Sequence, residues 1–332
     1  MKASGPVGIE TAGIVGLFIL FSCGPALAKP FAYITNQGDN TVSVIDTATN
    51  RVVQSIPVGE KPAGIAVSAD GQRIYVTNPQ SQDLSVIDGT SQRVRETIRL
   101  SSELVGIAVE PSGQRIFLTD WFNNRLLVYD AESLELRDRV PVGQAPTGIA
   151  FSPDGKQIFV ANRDSSSVSI INASSLKVIA EVEVGRHPFG ISVDSKGLWL
   201  YTANVESNDV SVVNIPRRKT VATIRAGDRP YATALARWDR KLFVTNQYDN
   251  SVSVIDTKTL KVVKTIKVGE YPEGISTHPD GRHVYVANWF SNNVSVIDAK
   301  YLEVIQTIQT GEGSRAFGQF IPLGRGFRSG LE

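Results

Sequence analysis

Apolar residues in this chain come in short bursts. Arg73-Ile74-Tyr75-Val76-Thr77-Asn78 is one such burst, and Asp83-Leu84-Ser85-Val86-Ile87-Asp88 follows it five residues later. The bursts are rich in Val, Ile, Tyr and Thr, and clusters such as Ala69-Asp70-Gly71 separate them. Runs this short are strands rather than helices, and turn-forming residues fix where each one ends. Around the second copy the pattern predicts strands at Gly64 to Ser68, Arg73 to Asn78, Asp83 to Asp88 and Arg93 to Ile98. Their apolar residues lie on both faces, as expected of sheets covered on either side.

The bursts repeat. Aromatic residues open a tetrad at Tyr33, Tyr75, Phe117, Phe159, Tyr201, Phe243 and Tyr285, and each step is 42 residues. Three places on stand Asn36, Asn78, Asp120, Asn162, Asn204, Asn246 and Asn288. Serines at Ser43, Ser85, Ser169, Ser211, Ser253 and Ser295 mark the next run, with Leu127 replacing the serine once. Glycines at Gly59, Gly143, Gly185, Gly227, Gly269 and Gly311 then mark the crossing to the next copy. Four strands per unit of about 40 residues is the period of a β-propeller blade. These tetrads, the Val-Ser-Val-Ile-Asp strings and the Val58-to-Gly71 crossing resemble the YVTN-repeat β-propeller family over about Phe31 to Leu323. The resemblance implies a seven-bladed propeller, commonly exported, and implies little about activity.

The sequence therefore predicts an all-β, seven-bladed propeller with four antiparallel strands per blade, spanning 29–323. Its first copy lacks a first strand. Gly318 to Ile321 occupies the vacant place, two residues late relative to the period, so the C-terminal strand is expected to close the first blade. Residues 324–332 are expected to form a flexible tail. Residues 1–28 have the features of an export signal: Lys2, an apolar run from Ala12 to Phe21, then Ala26 and Ala28 in the small-x-small pattern. The run is too short to cross a bilayer, which takes about 20 residues. Cleavage after Ala28 is expected, placing the protein in the periplasm or outside the cell. The alternative is lipid attachment at Cys23, the sole cysteine.

Charge narrows the partners. Lys and Arg number 34 against 33 Asp and Glu, a net +1, so nucleic acid is not an expected partner. With one cysteine there is no haem-attachment string and no Cys-based zinc site. His278 and His283 flank a turn and are expected to serve it. No metal, cofactor or catalytic residue is predicted.

Candidate binding residues are found where the copies differ. In an antiparallel meander the links between strands 2 and 3 share a face with the crossings between blades. Before or near the crossing prolines stand Lys61, His187 (preceded by Arg186), Arg229, Tyr271 and, in the last crossing, Arg315. The strand 2–3 loops add Trp121, Phe122, Arg163, Tyr248, Trp289 and Phe290. Cations beside aromatic rings point to an anionic or carboxylate ligand, or to a protein partner. The expected function is that of an exported, non-catalytic propeller binding an envelope protein or a small, possibly anionic ligand, as a monomer or as a subunit of a complex. Two alternatives remain: a periplasmic redox enzyme or its cofactor-free subunit, since the resemblance extends loosely to amine-dehydrogenase and haem-d1 propellers, and a structural envelope repeat protein.

Overall fold

The computed structural model describes residues 30–323, together with Met1, Lys2 and Gly5. The expected export signal, Cys23 and the C-terminal tail lie outside the described residues. Seven antiparallel sheets follow one another along the chain, and six of them have four strands in sequence order. In the second blade the strands are Ile65–Val67, Arg73–Asn78, Asp83–Asp88 and Arg93–Arg99. The middle two match the sequence expectation residue for residue, and the first is shorter. Among the described residues there is no helix.

Two kinds of repeated polar residue hold this architecture. The tetrad asparagine is fully buried, and its amide reaches forward within its own blade. Asn246 Nδ2 donates to Ser251 Oγ at 3.0 Å and to Ser253 Oγ at 2.9 Å. The tetrad threonine ties one blade to the next: Thr119 Oγ1 donates to the Thr147 carbonyl at 3.0 Å, and Thr245 Oγ1 to that of Glu273 at 3.1 Å. Aspartates ending the third runs cap tight turns, as where Asp88 Oδ1 accepts the Ser91 N–H at 2.7 Å.

The crossing glycines are required by close packing. They do not hold the left-handed backbone. That conformation falls two residues later, at Lys61 (φ 54°), His187 (φ 55°), Arg229 (φ 53°) and Tyr271 (φ 54°). Instead there is no room for a side chain: a Cβ on Gly59 would lie 2.5 Å from Asp83 Oδ1 and 2.7 Å from Asn78 Nδ2.

Ring closure occurs where the sequence places it. Tyr33 N–H donates to the Phe320 carbonyl at 3.0 Å, and Arg315 N–H to that of Thr35 at 3.0 Å. On its other side the segment receives the N–H groups of Ile65 (to Phe317) and Val67 (to Gln319), both at 2.9 Å. The innermost element of blade 1 is thus the C-terminal segment, but it is irregular, touching its neighbours through isolated bridges at Ser314 and Phe317. Ala316 (φ 51°) and Gly318 (φ 124°) break the extended backbone there and absorb the two extra residues. Phe320 and Ile321 are fully buried in the seam.

Candidate functional site

The crossing face gathers most of the residues that differ among copies. Just beyond each crossing lies an equivalent position beside the start of the innermost strand. It is Ala63, Val105 and Thr147 in blades 2 to 4, and Phe189, Tyr231, Glu273 and Arg315 in blades 5, 6, 7 and the closing segment. Arg315, expected near the place that precedes a crossing proline, lies two residues beyond it. That place is held by Gly313 (φ 75°), and Arg315 is the 42-residue equivalent of Glu273.

Large side chains fill this half of the mouth. Phe189 stacks on Tyr231 with centroids 4.2 Å apart, and Phe317 meets both, at 4.9 and 5.7 Å. Trp121 reaches toward them from the blade 3 loop, 6.3 Å from Phe189. Beside the rings lies a buried ion pair. Arg315 Nε donates to Glu273 Oε2 at 2.5 Å and Nη2 to Oε1 at 3.0 Å, while Gln247 Nε2 donates to Oε1 at 2.9 Å. Burial pushes the Glu273 carboxyl above the ordinary Glu range, and Arg315 and Gln247 pull it back only in part. Burial opposes the charge on Arg315, but Glu273 outweighs it and holds the guanidinium protonated.

Further out the aromatics form a second group. Tyr271 contacts Tyr248 at 5.7 Å, Trp289 at 5.5 Å and Phe290 at 4.8 Å. Guanidiniums lie over three of the rings: Arg315 over Trp289 at 4.3 Å, Arg229 over Tyr248 at 5.1 Å, and Arg163 over Trp121 at 5.2 Å. The two Trp-Phe pairs divide their work: each Trp packs inward, while Phe122 and Phe290 stand 70% and 57% exposed. A depression of about 300 Å³ lies beside the second pair, lined by Lys61, Trp289, Phe290, Glu312 and neighbouring backbone.

Of the predicted site residues, the structure joins Tyr248, Tyr271, Trp289, Phe290, Arg229 and Arg315 into one group. Lys61 reaches its edge, and Trp121 with Arg163 forms a spur toward Phe189. Arg186 and His187 lie apart. His187 Nδ1 is 3.1 Å from Glu206 Oε1, at an angle that makes no hydrogen bond, and Arg163 pairs with Asp164 at 2.5 Å. The sequence reading missed Phe189, Tyr231, Glu273 and Phe317. Reading the crossings one position beyond the proline reveals the first three, because Phe, Tyr and Glu replace small residues there.

Seven sheets around a mouth of irregular side chains define a repeat-built propeller that presents one variable face. The family follows from the sequence match: residues 110–199 and 196–320 match the YNCE-like beta-propeller model, and the chain belongs to that family. Residues 28–152 also match the model of the cytochrome D1 heme domain, which relates that part of the ring to haem-d1 propellers. Among solved structures, the chain resembles Kuenenia stuttgartiensis hydrazine synthase (22% identity, 80% of this chain and 92% of that one, TM-score 0.74). It also resembles a functionally unknown protein from Desulfotomaculum acetoxidans (16%, 87% and 99%, TM-score 0.75). The dihydro-heme d1 dehydrogenase NirN, solved in complex with DHE, matches at 15% identity over 86% and 74% of the chains, with TM-score 0.68. At these identities the likeness is one of fold. A 36-residue stretch is 64% identical to the PE-PGRS family protein PE_PGRS18 of Mycobacterium tuberculosis, covering 11% of this chain and 8% of that protein.

A haem group does not fit the mouth as it stands. The inner part of the mouth is packed with Phe189, Tyr231 and Phe317 at centroid separations of 4.2 to 5.7 Å. The 300 Å³ depression lies at the rim, and a larger one of about 600 Å³, lined by Glu60, Ser81, Asp83 and Arg99, lies on the blade 2 side with no aromatic wall.

Proposed function

We propose that this propeller is an exported, non-catalytic recognition module that binds a partner protein of the cell envelope through its crossing face. One observation supports this reading above the others. Exposed Phe122, Tyr248 and Phe290 flank half-buried Trp121, Tyr271 and Trp289, and arginines already lie over three of the rings. Trp, Tyr and Arg are the side chains that anchor protein interfaces, because each combines a large rigid contact area with a polar handle. A shallow depression of about 300 Å³ suits one inserted partner side chain better than a whole enclosed ligand. Charge adds local direction at the aromatic group, where Arg229 lies, so the complementary segment carries apolar residues with a carboxylate beside them; the depression itself is bordered by both Lys61 and Glu312.

The test uses the untagged mature protein as bait in cross-linking capture from an envelope extract, followed by affinity measurement with the captured partner. The triple variant Phe122→Ala, Tyr248→Ala, Phe290→Ala removes exposed rings only, so the melting temperature should hold. Capture should be lost, since anchor residues are each worth about 2 kcal/mol, roughly 30-fold in affinity. Undiminished capture by that variant removes this face from the reading. The redox alternative is favoured by the haem-domain match over residues 28–152 and opposed by the filled mouth. A Soret band retained through gel filtration after incubation with haem would reverse that preference.

A further inference from the structure

A second cluster of titratable side chains lies on the opposite face, in the turn His278-Pro279-Asp280-Gly281-Arg282-His283 between the first two strands of blade 7. In blade 2 the matching residues are Ser68, Asp70 and Arg73, and in blade 4 they are Ser152, Asp154 and Gln157. There the serine hydroxyl donates to the aspartate, at 2.6 Å in blade 2 and 2.7 Å in blade 4. Blade 7 keeps the aspartate and its turn-capping role, with Asp280 Oδ1 accepting the N–H groups of Arg282 (2.7 Å) and His283 (3.1 Å). Both flanking positions, however, have become imidazoles, and two of the chain's 3 histidines are spent on this one turn.

Both rings aim Nδ1 at the same carboxylate oxygen. Asp280 Oδ2 is 3.0 Å from His278 Nδ1 and 2.6 Å from His283 Nδ1. The second nitrogen of His278 decides what this means. His278 Nε2 is 3.2 Å from Thr47 Oγ1, and that hydroxyl gives its proton to the Pro30 carbonyl. A hydroxyl has one proton, so Thr47 must accept from Nε2–H. A neutral His278 therefore carries its lone pair on Nδ1, where the Asp280 N–H at 3.2 Å also points. A lone pair set 3.0 Å from a carboxylate oxygen is repulsive unless a proton or a metal ion stands between them.

We propose that His278, Asp280 and His283 form a binding site for a divalent transition-metal ion of the Zn²⁺ class. The two Nδ1 atoms and Oδ2 are its protein ligands, and water completes the coordination. Two imidazoles and one carboxylate are a donor set that suits this ion. The three ligand atoms already lie within 4.8 Å of one another. On a tetrahedral ion at about 2.1 Å they would stand roughly 3.4 Å apart, so the rings swing slightly away from the carboxylate. Thr47 is the outer partner that fixes the tautomer and orientation of His278. It belongs to blade 1, so the site spans the seam between blades 7 and 1, which Tyr285 also crosses by donating to Asn50 Oδ1 at 2.6 Å. Bound metal would brace that seam, where the ring is closed without a covalent link. All three ligand side chains reach solvent, at 18 to 34% exposure, so an ion can enter.

Calorimetric titration of the untagged protein with ZnCl₂ should show one saturable equivalent, and Co²⁺ should give a visible d–d band that Zn²⁺ displaces. The double variant His278→Ser, His283→Arg writes the blade 2 turn into blade 7 and should keep the fold while losing at least 100-fold in affinity. Thr47→Val should weaken binding about 10- to 100-fold. Saturable binding that is unchanged in the double variant overturns the site. So does wild-type protein that leaves Co²⁺ with its aqueous spectrum, which would mean that the rings are held as imidazolium partners of Asp280. If the double variant fails to fold, the wild-type Co²⁺ spectrum decides alone.

Discussion

Two arcs of the same ring carry different contents on nearly the same backbone. From blade 2 to blade 4 the residues at the channel mouth are Ala63, Val105 and Thr147; from blade 5 round to the closing segment they are Phe189, Tyr231, Glu273 and Arg315. Two of the first arc's three crossings hold the same left-handed residue, Lys61 (φ 54°) and Ala145 (φ 49°), as His187, Arg229 and Tyr271 do (φ 53 to 55°); the crossing into blade 3 does not. The scaffold therefore does not require the large side chains. Blades 2 to 4 complete their part of the ring with small residues there, although the innermost strands of blades 2 and 3 are only three residues long. The contrast also separates two kinds of burial. The buried tetrad Asn of six blades and the tetrad Thr of four recur as shared framework bonds, whereas the buried Glu273–Arg315 pair, with Gln247 bonded to it, occurs once, where blades 6 and 7 meet the closing segment.

The largest expected effect tests that last distinction. Glu273→Ala leaves a guanidinium, 18% exposed, without its carboxylate, and removing one partner of a buried pair costs about 3 to 5 kcal/mol. The double variant Glu273→Ala, Arg315→Val installs residues that the other arc carries at this position. It should return to within about 1 kcal/mol of wild type, since replacing both partners by apolar groups is often neutral. Guanidinium-chloride unfolding measures both. A double variant as unstable as the single one would mean that the pair is part of the scaffold and that the arcs differ in more than their contents.

The division between arcs also explains what could be read from the sequence. Blade number, the strands Arg73–Asn78 and Asp83–Asp88, and the place of closure were legible because each depends on short apolar runs and turn residues repeated at a fixed step. Deviation among copies pointed to Trp121, Tyr248, Tyr271, Trp289 and Arg229 on one face. Phe189, Tyr231 and Glu273 were missed because they stand next to a proline that looked like the informative position, and because the channel side of a strand start is set by ring geometry rather than by local pattern. Phe317 was missed because it lies in the proline-free last crossing, whose irregular segment departs from the repeat. The role of Thr47 beside His278 could not be read at all, since 231 residues separate them and only closure brings them together.

A second test moves to a position that both arcs share. The tetrad aromatic is Tyr in blades 1, 2, 5 and 7 and Phe in blades 3, 4 and 6. Tyr33 is 1% exposed, and burial, reinforced by Asp88, pushes its phenol up to about 12. In the unfolded chain the phenol titrates near 10. Between these values the unfolded chain releases a proton that the folded chain keeps. The associated stability is thus fully present below about pH 10 and is lost as pH rises toward 12, a change of about 2 to 3 kcal/mol. Tyr33→Phe, which copies Phe117, should flatten that share of the alkaline decline in urea midpoints between pH 9 and 12. A variant with the wild-type slope would mean that Tyr33 ionises as easily folded as unfolded.

The smallest effect asks whether the scaffold is as uniform as the arcs require. Asn78 and Asn246 are both fully buried and both donate to the serine seven residues on, each at 2.9 Å. They differ at the side-chain oxygen. Asn246 Oδ1 accepts the Gly227 N–H at 3.1 Å, whereas Asn78 Oδ1 makes no hydrogen bond. Truncation to Ala should cost about 1 to 3 kcal/mol at either place, because buried serine hydroxyls lose a donor. Asn246→Ala should be the costlier by about 0.5 to 1.5 kcal/mol, the net worth of one hydrogen bond, since it also strands the glycine N–H. Matched urea titrations of the two variants resolve a gap of that size. If Asn78→Ala proves the more damaging, the charge-assisted bond from Asn78 Nδ2 to Asp83 at 2.6 Å outweighs the crossing contact, and the two arcs then differ in their polar frame as well as in what fills the mouth.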